Sequence, residues 1–126
     1  MKLDALGITC KNLNESIVFY RLLGLLFGEP DGDHIEFQIP GGMRIMLDSE
    51  ELVRKVNPNW IKPVGQRIGL AFLCDSAAEV DTVFNKLISA GYKAGKEPWD
   101  AFWGQRYASV LDPDGNSVDL FAPLQA

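Results

Sequence analysis

The 126-residue sequence predicts an α+β protein made of two tandem βαβββ half-repeats. Three observations carry that expectation. A shift of 64 residues brings Cys10 onto Cys74, Asn12 onto Ser76 and Glu15 onto Glu79, so strand, helix cap and first helical turn recur together. An apolar run of helical period follows each cap. Each half then changes to short strand-like runs, punctuated by Pro30-Asp31-Gly32-Asp33 and Pro40-Gly41-Gly42 in the first and by Asp112-Pro113-Asp114-Gly115-Asn116 in the second.

The first strand is expected over residues 3–10, around Leu6-Gly7-Ile8-Thr9-Cys10. Asn12 with Glu15 has the spacing of a capping box, and Leu13, Ile17, Tyr20 and Leu23 lie on one face of the helix it opens. Gly24 ends that helix, and strands are expected over 25–28, 33–39 and 43–48. Residues 49–66 contain Pro58, Trp60 and Pro63 without a clean period, which reads as a linker with one helical turn around Glu50 to Val56. The second half opens with a strand over 67–74. Its helix is capped by Ser76 with Glu79, carries Val80, Val83, Phe84, Leu87 and Ile88 on one face, and stops at Gly91. Strands over 92–96, 104–111 and 116–121 complete it. The half-repeats therefore span about 1–48 and 67–126 of a single domain over 1–126.

An apolar content of 47% with 23% charged residues fits one soluble globular domain. A formal charge of −5, with no cluster of lysine or arginine, removes the electrostatic footing of nucleic-acid binding. The apolar run from Ile68 to Cys74 is far too short to span a bilayer, so a cytoplasmic protein with no membrane partner is expected. Cys10 and Cys74 lack CxxC spacing and sit in apolar strand-like runs, as reduced core thiols do.

The run Asn14-Glu15-Ser16-Ile17-Val18-Phe19-Tyr20 with Leu23-Gly24-Leu25, then Trp103-Gly104-Gln105-Arg106, and Asp112 to Asn116 leading into Val118-Asp119-Leu120, together resemble the vicinal oxygen chelate superfamily. Glyoxalase I, extradiol dioxygenases, fosfomycin-resistance enzymes and bleomycin-resistance binding proteins belong to it. The resemblance implies half-repeats forming an open, curled mixed sheet around a cleft, commonly completed by a second subunit. In the metal-using members, a histidine or glutamine near the start of the first strand pairs with a glutamate in the last strand of each half. Counting from the caps, these positions fall on Ala5, Gly69, Met46 and Asp119, and only Asp119 carries a carboxylate. A divalent ion needs three or four such ligands. Moving two residues along a strand keeps the face but offers only Leu3, Gly7, Arg44, Asp48, Arg67, Ala71, Ser117 or Phe121. No metal, no cofactor and no catalytic residues are therefore expected.

His34, the only histidine, shares a polar strand face with Glu36 and Gln38, either as a solvated residue or in a cluster with Glu36 and Asp119. Ala5, Gly7 and Thr9, with Gly69 and Ala71 in the repeat, make a face of small side chains that either leaves room for a ligand or lets central strands pack closely. Trp60, Trp99 and Trp103 fall in the linker or in the loop before a strand, where tryptophan either anchors a loop or offers a flat contact surface. In drug-binding relatives the segment holding Trp99 and Trp103 borders the groove.

The resulting expectation is a metal-free small-molecule binding protein of the bleomycin-resistance type, a homodimer holding an aromatic or cationic compound and conferring resistance to an antibiotic. Its ligand-binding residues are Trp60, Trp99 and Trp103, with Arg44, Met46 and Asp119 on the floor and His34 and Glu36 contributing. The alternatives are a divergent metal-dependent lyase, isomerase or dioxygenase, and a dimeric module without a physiological ligand.

Overall fold

Two units make up the chain, Met1–Pro63 and Val64–Ala126, in a computed structural model that describes residues 1–125. In the first, β1 (Ala5–Cys10) leads into α1 (Leu13–Leu22), then β2 (His34–Gln38), β3 (Arg44–Ser49) and α2 (Glu50–Val56). In the second, β4 (Leu70–Leu73) leads into α3 (Ala77–Ser89), then β5 (Lys93–Ala101), β6 (Gln105–Leu111) and β7 (Ser117–Pro123).

The half-repeat expectation holds in the helix starts and in the pairing. Asn12 Oδ1 accepts the Glu15 N–H at 3.1 Å, Ser76 Oγ accepts the Glu79 N–H at 3.1 Å, and the helices begin at Leu13 and Ala77. Gly24 and Gly91 follow the helices at φ values of +91° and +99°, a conformation that costs other residues a Cβ clash. In each unit the strand before the helix lies parallel to the last strand, which also takes an antiparallel neighbour. The sheet orders are β1-β3-β2 and β4-β7-β6-β5. A parallel neighbour needs a crossover connection, which the helix supplies.

Alternation sorts each sheet into two faces. Ile8, Cys10, Ile35, Ile45 and Leu47 are buried, as are Leu13, Ile17, Phe19 and Tyr20 of α1. In the second unit Ala108, Val110, Val118, Leu120 and Ala122 are buried, and α3, with its buried Val80, Phe84 and Leu87, contacts β5, β6 and β7. Both cysteines are buried in these interiors as thiols outside any disulfide. The turn into β7 is built by Asp112, whose Oδ1 accepts the N–H groups of Asp114 and Asn116 at 2.9 and 2.8 Å while Oδ2 accepts the Asn116 side-chain amide at 2.9 Å.

Two expectations need correction. Residues 25–28 form no strand, because the Arg21 guanidinium donates to the carbonyls of Phe27 and Gly28 at 2.8 and 2.5 Å, which leaves those groups unavailable to a ladder. Leu25 and Phe27 are nonetheless buried. The first of the later strands in the second half runs on to Ala101 through register shifts on either side of Lys96, so Trp99 stands in a strand and not in a loop. The helical turn expected in the linker is the seven-residue α2, capped by Ser49. No helix among the described residues is long and apolar enough to cross a membrane.

Candidate functional site

The face of the first sheet opposite its core carries a ladder of charges. Antiparallel pairing of β2 with β3 sets His34 across from Asp48, Glu36 across from Met46 and Gln38 across from Arg44. The His34 Nδ1 bonds to Asp48 Oδ1, and its Nε2 bonds to Glu36 Oε2 at 2.9 Å. Arg44 Nη1 donates to the same Glu36 oxygen at 2.7 Å, while its Nη2 and Nε donate to Asp4 Oδ2 at 2.7 and 3.2 Å. Five charged side chains therefore satisfy one another from Asp48 to Asp4.

Their protonation follows from this contact. The bond to Asp48, and next the bond to Glu36, raise the His34 pKa above its ordinary 6.5. His34, and next Arg44, hold the Glu36 carboxyl below the ordinary range. Arg44, Glu36 and His34, expected to meet a ligand, thus spend their charge within the sheet. Within this sheet, Asp48 is the carboxylate at His34 Nδ1.

The donors of a family metal do not assemble. The parallel registers pair Gly7 with Met46 and Ala71 with Asp119, two residues along the strand from Ala5 and Gly69 and on the same face. Asp119 is the one carboxylate among the four, and its Oδ2 already accepts the Tyr107 hydroxyl at 2.6 Å. His34, Glu36 and Asp48 make no substitute, because the two carboxylates approach opposite ring nitrogens and cannot converge with the imidazole on one ion. No group of three histidine, cysteine, aspartate or glutamate residues suited to a metal occurs among the described residues.

The corresponding face of the second sheet is aromatic. Trp99, Tyr107, Phe121 and Leu73 pair in one row across β5, β6, β7 and β4. Tyr107 lies nearly parallel to Phe121, with ring centres 6.3 Å apart, and takes the edge contact of Trp103 at 5.2 Å. Trp103 in turn meets Trp99 at 5.5 Å and Phe102 at 4.9 Å, all near perpendicular. The turn between β5 and β6 leaves Phe102 at 90% and Trp103 at 47% exposure. The next row pairs Lys96, Ser109, Asp119 and Ala71. Lys96 Nζ stands 5.1 Å over the Trp99 ring. Burial, and next the bond to Asp119, push the Tyr107 hydroxyl up to about 12.

The expected site residues are divided between the two units. Trp99, Trp103 and Asp119 belong to the aromatic face, and His34, Glu36, Arg44 and Met46 to the charged one. Trp60 belongs to neither row: it follows α2, where the Arg54 guanidinium lies 4.9 Å over its ring. Tyr107, Phe121 and Phe102 join the aromatic group although the sequence reading did not single them out for it. A register signal existed. Pairs in the β2–β3 hairpin are equidistant from Gly41, which matches His34 with Asp48, and the β6–β7 pairs are equidistant from Asp114, which sets Tyr107 one step from Asp119.

The family model for the Glyoxalase/Bleomycin resistance protein/Dioxygenase superfamily matches residues 2–120. Among solved structures, a glyoxalase-related enzyme from Fulvimarina pelagi is similar at TM-score 0.84 and 17% identity, over 96% of this chain and 87% of that one. A glyoxalase/bleomycin resistance protein/dioxygenase family enzyme from Burkholderia phytofirmans is similar at 0.83 and 20%, over 96% and 98%. A lactoylglutathione lyase from Agrobacterium tumefaciens is similar at 0.69 and 20%, over 96% and 92%. No curated protein matches the sequence.

Proposed function

Because the chain belongs to the Glyoxalase/Bleomycin resistance protein/Dioxygenase superfamily, we propose that it is a binding protein of the bleomycin-resistance type, which holds a planar aromatic or cationic small molecule without metal chemistry. The observation that carries this reading is the Trp99, Trp103, Tyr107 and Phe121 cluster with Asp119 at its border. Its rings are half-buried, with Trp103 exposed at the edge, so the group still offers ring faces and edges to a flat ligand. Asp119 supplies an acceptor for a ligand N–H, and the resident Lys96 over Trp99 illustrates that these rings attract a cation. We propose further that the protein acts as a homodimer and that resistance to an aromatic antibiotic is its physiological role.

The test combines metal content with tryptophan fluorescence on one purified sample, titrated with a panel of aromatic cations, neutral aromatics and aromatic acids. Quenching by the cations, with no retained metal, supports the reading. One equivalent of zinc, nickel, iron or manganese held through dialysis overturns it in favour of an enzyme resembling the lyases of the family. Sedimentation as a monomer at micromolar concentration removes the dimer.

A further inference from the structure

We propose that Asp48 and His34 form a proton-accepting dyad on the first sheet, in which Glu36 caps the imidazolium and leaves His34 Nε2 bare once the proton is lost. Valence fixes the protonation state of His34. A carboxylate only accepts hydrogen bonds, and both ring nitrogens of His34 face carboxylate oxygens, so both bonds exist together only when both nitrogens carry hydrogen. The bonded form is the imidazolium.

When it loses one proton, a single N–H must choose between two acceptors. Asp48 is the stronger claimant, since its side chain is 20% exposed against 42% for Glu36 and has no arginine partner in the ladder, whereas Glu36 keeps Arg44. The remaining proton stays on Nδ1. Nε2 then presents a lone pair to the Glu36 carboxylate, which is repelled towards Arg44 and solvent. The product is an imidazole oriented from behind by Asp48 with its outer nitrogen open, the arrangement a general base requires. A hydroxyl, thiol or activated carbon acid brought to this face gives its proton to Nε2 and keeps the bonding pair, and Glu36 recaps the imidazolium. The surroundings contain no competing acid on β1, which presents Ala5, Gly7 and Thr9. Asp31 and Asp33 precede His34 and are held there through their backbones. On α2, which contacts β1 and β3, Glu50 pairs with Arg54 and Lys62, and Glu51 pairs with Lys55.

With a raised folded pKa, the His34 protonation contributes stability that is fully present below pH 6.5 and is lost as pH rises through the folded midpoint, while the Glu36 contribution, with its pKa held down, is lost only as pH falls through the acid range. His34 is the only histidine, so imidazole nitrogen NMR on the full chain reads one residue without assignment. The expected result is a titration midpoint above 6.5 and a neutral form protonated at Nδ1. Glu36→Gln lowers the midpoint and keeps that tautomer, while Asp48→Asn lowers it and moves the neutral proton to Nε2. Above the midpoint, acylation of His34 by diethyl pyrocarbonate reaches the same limiting rate in the parent as in Glu36→Ala. A midpoint at or below 6.5, a parent tautomer protonated at Nε2, or a limiting rate in the parent far below that of Glu36→Ala each overturns the proposal. None of these readings depends on the aromatic face, so they stand or fall apart from ligand binding.

Discussion

Met46 and Asp119 occupy matching places in the two half-repeats, on the last strand and opposite a small residue, yet their surroundings share almost nothing. Around Met46, the other strand of the hairpin, β2, supplies His34 and Glu36, and the face becomes a closed chain of ion pairs. Around Asp119, β5 and β6 supply Trp99, Tyr107 and Ser109, and the face becomes a bed of rings with one hydrogen-bonded carboxylate. The shared helix caps, parallel pairs and buried faces fix where a side chain points. The strands added beyond β3 and β7 decide what chemistry meets it. A duplicated scaffold can thus carry an internally ion-paired face in one copy and an aromatic one in the other.

Matching half-repeats should have equally costly cores. Leu47 and Leu120 are fully buried on β3 and β7, each next to the position just compared. Leu47→Ala and Leu120→Ala should each lower unfolding free energy by about 2–5 kcal/mol through lost burial and the cavity left behind. Denaturant unfolding of both variants measures this. A full loss in one and almost none in the other would show that the two cores are not equivalent, whatever their backbones suggest.

The faces are separated by Trp103→Ala against Met46→Ala. Trp103 is half exposed, so its removal should weaken binding of a quenching aromatic cation by about 1–3 kcal/mol and cost about 0.5–1 kcal/mol of stability. Met46→Ala should leave the affinity unchanged. Trp99 is less exposed than Trp103 and stands in a strand, so Trp99→Ala should cost more stability than Trp103→Ala. Equal affinities for the parent and both tryptophan variants would reduce these residues to structural anchors.

What was legible in the sequence divides along the same line. The repeat, caps and helices rest on local spacing, and they emerge at Asn12, Ser76 and the apolar stripes with little error. The missing strand at 25–28 was illegible because its carbonyls are taken by Arg21, a contact that no strand propensity encodes. The sites depend on pairing between strands. His34 with Glu36 follows from period two, but Asp48 joins them only once the hairpin is centred on Gly41. Tyr107 stayed hidden for a similar reason, since its bond to Asp119 crosses from β6 to β7.

Tyr107 gives a sharper test of how its face is built. Its hydroxyl titrates at about 12, chiefly from burial and secondarily from the Asp119 bond. Because the folded form retains this proton longer than an unfolded tyrosine near 10 does, its contribution to stability is present below pH 10 and is lost towards pH 12. Asp119→Asn should lower the midpoint seen by tyrosinate absorbance without returning it to 10, as the burial remains. A complete return would mean that the carboxylate, and not the ring environment, dominates this face.

The smallest effect tests the duplication at its most local. Asn12 and Ser76 each give a side-chain oxygen to the amide three residues on, and these amides have no acceptor in the first turn of the helix. Replacing either residue with alanine removes one acceptor and leaves the fold's contacts otherwise intact, so Asn12→Ala and Ser76→Ala should each cost about 1 kcal/mol. Glycine in either place should cost only a few tenths, since it tolerates the extended cap conformation and lets water reach the amide. Chemical denaturation resolves the difference between alanine and glycine at each position. If alanine is neutral at Ser76 but not at Asn12, then α3 is started by its buried Val80, Phe84 and Leu87 packing on the sheet, and the second cap survives as a trace of the repeat without energetic weight.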